Sequence, residues 1–216
     1  MAIYFLSSQP LILLLLLSFS STHLTVQSTS NNTSTGFSCS VDSPPSWEAY
    51  VAYFAQPPVF LDLGNISDLF QVSRVSVAES SNLASENIQL FQDQLLLVPI
   101  TCGCTGNRYF ANITYQIKAG DTFSDVSTNS YENLTNYHVI EEFNPDYRTL
   151  LPVGIKVTLP LFCSCPSKAC TLNGTKYFIT YVWQLGDDVT QVVPSLKHLR
   201  WKLAMKTRVL QWGFRF

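Results

Sequence analysis

Six cysteines, placed as Cys39, then Cys102-Gly103-Cys104, then Cys163-Ser164-Cys165, then Cys170, constrain this chain more than any other feature. Residues i and i+2 of an extended strand point to one face, so each Cys-x-Cys bridges most easily outward, to two different partners. In an oxidising compartment an even set at such spacings reads as a disulfide framework, and six cysteines leave 15 connectivities open. A thiolate metal site would want Cys-x2-Cys spacings and a reduced compartment, so no metal or other cofactor is expected.

Two further features place the chain in an oxidising compartment. Residues 3–6 and 11–17 are apolar and a polar run follows; the stretch from Leu11 is too short to cross a hydrocarbon layer about 30 Å thick, so residues 1–28 read as an export signal. No later window is apolar enough for a membrane span. Asn-x-Ser/Thr sequons at Asn31, Asn32, Asn65, Asn112, Asn133 and Asn173 are expected to be glycosylated at the surface. Charge is unevenly spread: all 15 acidic residues lie between Asp42 and Asp188, with only seven of the 13 basic ones. A body this acidic argues against nucleic acid as its ligand, because neutralising phosphates takes clustered Lys and Arg.

The chain also repeats itself. Leu97-Val98-Pro99-Ile100-Thr101-Cys102-Gly103-Cys104 returns 61 residues later as Thr158-Leu159-Pro160-Leu161-Phe162-Cys163-Ser164-Cys165. Ile113-Thr114-Tyr115-Gln116-Ile117-Lys118-Ala119-Gly120-Asp121 returns as Ile179-Thr180-Tyr181-Val182-Trp183-Gln184-Leu185-Gly186-Asp187. Such self-similarity means arrayed small modules rather than one large core. In the second module, residues 112–117 read as a strand, Gly120-Asp121-Thr122 as a turn with Asp121 capping a short helix, and Phe123 and Val126 as that helix's apolar pair. A second helix is expected over 134–143, stopped by Asn144-Pro145, and a closing strand over 156–161. The first module follows the same plan: strand 49–54, helices 65–72 and 75–83, strand 95–100. The expected class is α+β, with tandem β-α-α-β modules whose meagre cores lean on cross-links between modules.

This combination of an export signal, a first Cys and β-α-α-β modules separated by Cys-x-Cys resembles the ectodomain of plant LysM receptor-like kinases. The carrying strings are Ile113-Thr114-Tyr115 through Gly120-Asp121-Thr122, Asn144-Pro145 with Leu151-Pro152-Val153-Gly154, and Tyr181-Val182-Trp183-Gln184 with Gly186-Asp187. Within that family the chain looks most like the chitin or lipochitooligosaccharide receptors with a degenerate kinase. The resemblance implies Cys39 to Cys104 and Cys102 to Cys163 bridges. Trp47 stands where the subgroup carries a further Cys, so Cys165 loses its usual partner and either pairs with Cys170 or stays free. The implied organisation is an export signal at 1–28, a first LysM module at 39–101 led by Cys39, a second at 112–162, a partial third at 177–192 and a divergent basic tail at 193–216. The third module is expected to lose most of its helices and its closing strand, leaving the chain truncated before any membrane span or kinase. In the tail, Leu196, Leu199, Leu203 and Leu210 fall near helical spacing among Lys and Arg, as in a basic helix for an anionic membrane. The abrupt change of composition inside a module reads better as translation into another frame or an unspliced intron.

In such receptors N-acetylglucosamine oligomers lie in a shallow groove between two loops of one module. Carried onto this chain, the groove residues are Lys118, Ala119, Gly120, Asp121, Thr122 and Phe123 on one loop and Tyr147, Arg148, Thr149, Leu150, Leu151 and Pro152 on the other. A chitin oligomer is uncharged, so its recognition needs short hydrogen-bonding groups and apolar contacts for acetyl methyls and ring faces. The structural reading competes: Asp121 capping its helix and Phe123 filling the core. Catalysis is not expected, since the pairs Asp121 with Asp125 and Glu141 with Glu142 sit on short helices, and His138 has no evident nucleophile. The leading reading is a secreted binder of chitin-type oligosaccharides, a receptor ectodomain or soluble decoy in plant immunity or symbiosis. The alternatives are an ectodomain that only pairs with full-length LysM receptor kinases, or a non-functional fragment.

Overall fold

The structure, a computed structural model, describes residues 38–39, 44–172, 174–199 and 206–212. The expected export signal and the sequons at Asn31, Asn32 and Asn173 lie outside the described residues. The elements are β1 (Ser46–Phe54), α1 (Leu63–Phe70), α2 (Arg74–Ser80), β2 (Leu95–Thr105), β3 (Arg108–Gln116), α3 (Phe123–Asp125, widened into a π turn over Val126–Ser130) and α4 (Tyr137–Phe143). A 3-10 turn at Pro145–Tyr147, β4 (Lys156–Phe162), α5 (Lys168–Leu172), β5 (Thr175–Val182), α6 (Val189–Leu199) and β6 (Lys206–Trp212) follow. The α+β class and the two β-α-α-β units read from the repeat are both present.

One sheet of order β4-β3-β2-β1-β5-β6 unites them. β1 and β2 pair antiparallel from Ser46↔Gly103 to Phe54↔Leu95, and β3 and β4 from Phe110↔Phe162 to Gln116↔Lys156. A hairpin closed by Thr105↔Arg108 joins the two units, with Gly106 at φ 64°, a conformation open to glycine without steric cost. β5 returns beside β1 in parallel, Tyr50↔Ile179 and Val51↔Thr180. Side-chain alternation then divides the core in two. Ala49, Val51 and Tyr53 of β1 face the helices of both modules, while Tyr50 and Ala52 join Leu97, Ile179, Tyr181, Val192 and Leu196 beneath α6. A strand buried on both faces needs a continuous apolar run, which is what Ala49 to Phe54 supplies.

Short helices in this fold depend on their caps. The Asp62, Ser73, Thr122 and Asn136 side chains each accept from a backbone N–H in the first turn of the helix they precede. Asn136 caps α4, so that helix begins at Tyr137 rather than at 134 as the sequence suggested. Unpaired strand edges are closed by side chains. The Asn144 amide donates to Thr158 O at 2.7 Å and accepts from Thr158 N at 2.9 Å, filling the place of a neighbouring strand on β4. At the repeat-equivalent position of β2, Leu97 N donates to Ser81 Oγ at 2.9 Å and the Ser80 hydroxyl donates to Leu97 O at 2.5 Å. Gln71 closes the same kind of gap between modules, its amide nitrogen 2.8 Å from Thr114 O.

The two implied bridges are formed: Cys39–Cys104, and Cys102–Cys163 with Cα atoms 5.8 Å apart. Cys165 and Cys170 are free thiols. Cys165 is buried with its Sγ 3.6 Å from Cys102 O, and burial pushes its thiol up to about 11. The third module departs from expectation. A helix does follow its turn, because Asp188 Oδ1 takes the N–H and hydroxyl of Thr190 and the apolar pair Val192 and Leu196 reaches the β1–β5 face. The segment read as a divergent tail supplies the end of α6 and then β6, which pairs parallel with β5 where both complete modules close antiparallel.

Modules one and two also meet through polar contacts at the end of β1. Tyr53 donates its hydroxyl to Ser130 O at 3.1 Å, Tyr131 to Leu69 O at 2.8 Å, and Phe54 N–H to Glu132 Oε2 at 3.0 Å. Burial pushes the Glu132 carboxyl up to about 7; the Phe54 N–H pulls the other way and Asp93 adds to the rise. Tyr53 and Tyr181 are the other titratable groups facing it.

Two outcomes are expected. Asn144→Ala leaves both backbone groups of Thr158 without partners and lowers stability by about 3 kcal/mol in denaturant titration. For Glu132, a folded value of about 7 against an ordinary 4.5 means that the native state holds the proton more tightly between those pH values. Stability therefore falls as pH rises through that window, by up to about 3 kcal/mol. Glu132→Gln, which keeps an acceptor for Phe54, is expected to flatten the difference in melting temperature between pH 5 and pH 8.

Candidate functional site

The loops that close the second module are held by one carboxylate. Asp121 Oδ2 accepts from the Tyr115 hydroxyl at 2.9 Å and from Lys118 N at 2.8 Å, pinning the turn in which Gly120 takes φ 89°. Burial and this carboxylate raise the Tyr115 phenol above its usual range, so it stays a donor. The third module repeats the device: Asp187 Oδ2 accepts from the Tyr181 hydroxyl at 2.9 Å and from Gln184 N at 2.6 Å. The helix cap is therefore Thr122, whose Oγ1 accepts from Asp125 N at 3.0 Å, and not Asp121 as the sequence reading had it. Opposite, Gly154 N donates to Ile117 O and Ile117 N to Ile155 O, extending the β3–β4 ladder to the base of both loops.

Above that base the loops stand apart and enclose a groove of about 280 Å³. Its walls are Asp121, Thr122, Phe123 and Ser124 on one side, Tyr147 to Leu151 on the other, and Tyr137 and Glu141 of α4 between them. Leu150 is 72% exposed on the lip, whereas Leu151 packs partly against the core. Tyr137 is backed by the His138 ring at 3.9 Å between centroids. Arg148 donates its Nε to Glu141 O at 3.3 Å, which ties the far loop to α4. The lining mixes hydroxyls, apolar side chains and ring faces.

Eight of the twelve residues carried onto the sequence line this groove: Asp121, Thr122, Phe123, Tyr147, Arg148, Thr149, Leu150 and Leu151. Lys118, Ala119 and Gly120 form the turn behind it, the Lys118 ammonium lying 5.9 Å from the Tyr115 ring centroid, and Pro152 lies outside the lining. Phe123 is 7% exposed, so most of its ring is core. Ser124, Tyr137 and Glu141 were missed; the four-residue spacing of Tyr137 and Glu141 on one helix face was the available signal. One member of each carboxylate pair weighed for catalysis is engaged elsewhere, Asp125 with the Thr122 hydroxyl and Glu142 with Arg108. Asn65 and Asn112 of the sequons are exposed, and Asn133 is half-buried at φ 62°.

A larger hollow of about 460 Å³ lies among Ser46, Trp47, Glu48, Thr101, Lys176 and Tyr177. It is open sheet surface beyond the patch covered by α6, and the Trp47 indole N–H is already donated to Lys176 O at 2.9 Å. At the position where a further Cys was expected, Trp47 thus joins β1 to β5.

Both modules match described protein domains. Residues 46–105 match the NFP/LYK LysM1 domain and residues 108–162 the NFP LysM2 domain. The chain belongs to the NFP/LYK family of LysM proteins. Among Arabidopsis thaliana proteins it is 27% identical to protein LYK5 over 168 residues, 75% of this chain and 25% of LYK5. It is 32% identical to LysM domain-containing GPI-anchored protein 2 over 189 residues, 83% of this chain and 50% of that protein. It is 26% identical to chitin elicitor receptor kinase 1 over 101 residues, 46% of this chain and 16% of that protein. The chain thus spans half or less of the length of these relatives. The fold is that of a solved receptor like kinase ectodomain, TM-score 0.59 at 23% identity, covering 72% of this chain and 80% of that one. The LYK3 ectodomain gives TM-score 0.58 at 22% identity over 73% and 82%. Among the described residues no helix is long and apolar enough to cross a membrane.

The two LysM modules differ at the groove. In the first, Leu90 N and the Gln89 side chain both donate to Leu61 O, which closes the corresponding loops on each other. Replacing Asp121 by Ala is expected to cost about 1–3 kcal/mol, since the Tyr115 hydroxyl and Lys118 amide lose their acceptor. Asp121→Asn, which retains one oxygen, should recover part of that loss in the same thermal melts.

Proposed function

We propose that this LysM protein binds chitin-type N-acetylglucosamine oligosaccharides outside the cell, through the groove of its second module. It would act as a receptor ectodomain or soluble decoy in plant innate immunity or symbiosis. A lipochitooligosaccharide is the related ligand class, and full-length LysM receptor kinases are the natural protein partners. The observation that carries this reading is the contrast between modules: loops closed by hydrogen bonds in the first, and held open at a braced base in the second. The open groove offers the Thr149 hydroxyl, the Tyr137 and Tyr147 rings and the Leu150 lip, chemistry suited to an uncharged sugar with acetyl methyls. The likeness to a relative whose name includes chitin supports the same ligand class. No step of this reading requires catalysis.

Calorimetric titration of the secreted, glycosylated protein with fully acetylated oligomers of graded length tests it. Saturable binding that tightens with length and barely changes between low and high salt is expected, because no charge is neutralised. Leu150→Asp, on the exposed lip, should weaken binding about tenfold, in line with the loss of one apolar contact, while the melting temperature holds. Absence of binding by a protein with intact Cys39–Cys104 and Cys102–Cys163 bridges would overturn the lectin reading in favour of pairing with full-length receptors.

A further inference from the structure

Three charged side chains line the groove, Asp121, Glu141 and Arg148, and they are not equally available. Asp121 already accepts two hydrogen bonds on Oδ2 within its turn, and Arg148 is drawn through its Nε to the Glu141 carbonyl. The Glu141 carboxylate accepts no hydrogen bond among the described residues. The His138 imidazole Nδ1 lies 4.0 Å away on the preceding turn of α4, and the Glu141 side chain is 32% exposed. Two acids against one base leave the groove lining net negative, with the half-buried Glu141 carboxylate accepting no hydrogen bond among the described residues and the His138 ring at 4.0 Å.

We propose that the groove is selective for partly N-deacetylated oligosaccharides, seating a glucosamine ammonium against Glu141 while neighbouring acetylated rings make the neutral contacts. This rests on the reading of the groove as an N-acetylglucosamine oligomer site. A neutral oligomer leaves the Glu141 carboxylate to water. A primary amine brings three donors and a charge to it, an arrangement that strengthens hydrogen bonds and fades with salt.

The test compares three oligomers of one length, fully acetylated, partly deacetylated and fully deacetylated, by calorimetry near pH 6 at low and high salt. The partly deacetylated oligomer is expected to bind about three- to tenfold more tightly than the fully acetylated one at low salt, the size of a half-exposed ion pair. That advantage should shrink at high salt, and Glu141→Gln should bring the two affinities together. Equal or tighter binding of the fully acetylated oligomer overturns the proposal and leaves the lectin reading standing. Tightest binding of the fully deacetylated oligomer, lost at high salt, also overturns it and assigns the effect to general charge attraction. Binding of none of the three overturns both readings.

Discussion

A strand in the middle of a sheet has two edges and two faces to satisfy, and in this protein β1 has all four occupied. Its edges pair with β2 and β5, and its faces are covered by the helices of the first two modules on one side and by α6 on the other. Modules of about fifty residues have too little interior to be independent. Sharing one sheet lets each contribute apolar surface to a strand it does not own. The Cys102–Cys163 bridge, which joins β2 to the end of β4, then fixes the second module to the first beside the start of that strand, where Cys102 stands opposite Trp47.

What remains after the sheet is assembled is backbone that no strand reaches, and the chain meets it with side chains that imitate peptide groups. Asn144 presents both a donor and an acceptor to Thr158, while Ser80 and Ser81 together do the same for Leu97. A buried amide or carbonyl left unpaired costs more than a hydrogen bond returns, so these residues act as plugs. They also leave the edges unable to recruit another strand. The groove stands on the same economy of polar groups, since Asp121 settles one phenol and one amide with a single oxygen and so sets where the first loop ends.

The repeat made much of this legible. Cys-x-Cys spacing, the Asn144-Pro145 stop and the Gly120-Asp121 turn located the strands and the groove loops, because each encodes a local requirement. Relations between distant segments were not encoded in this way. Nothing in Thr175 to Val182 says that its neighbour is β1 in parallel, and so the helix and strand that follow it read as divergent sequence. Asp121 carried two meanings, cap and brace, and the geometry chose the brace because Tyr115 lies six residues earlier with its hydroxyl in reach. Tyr137 and Glu141 were not read as groove residues because helices in a module of this size are first read as core.

The parallel pairing of β1 with β5 also has a consequence in time. The hydrogen bond from Trp47 to Lys176 spans 129 residues, as does the register Tyr50↔Ile179. At synthesis rates of about 5–20 residues per second, roughly ten seconds separate the emergence of β1 from that of the strand that completes it. For that interval Tyr50, Ala52 and Leu97 form an apolar strip on a nascent sheet with no cover. The first two modules can be built and bridged meanwhile, yet they must wait with a sticky face and an open strand edge. A period of dependence on chaperones is therefore written into the order of the strands.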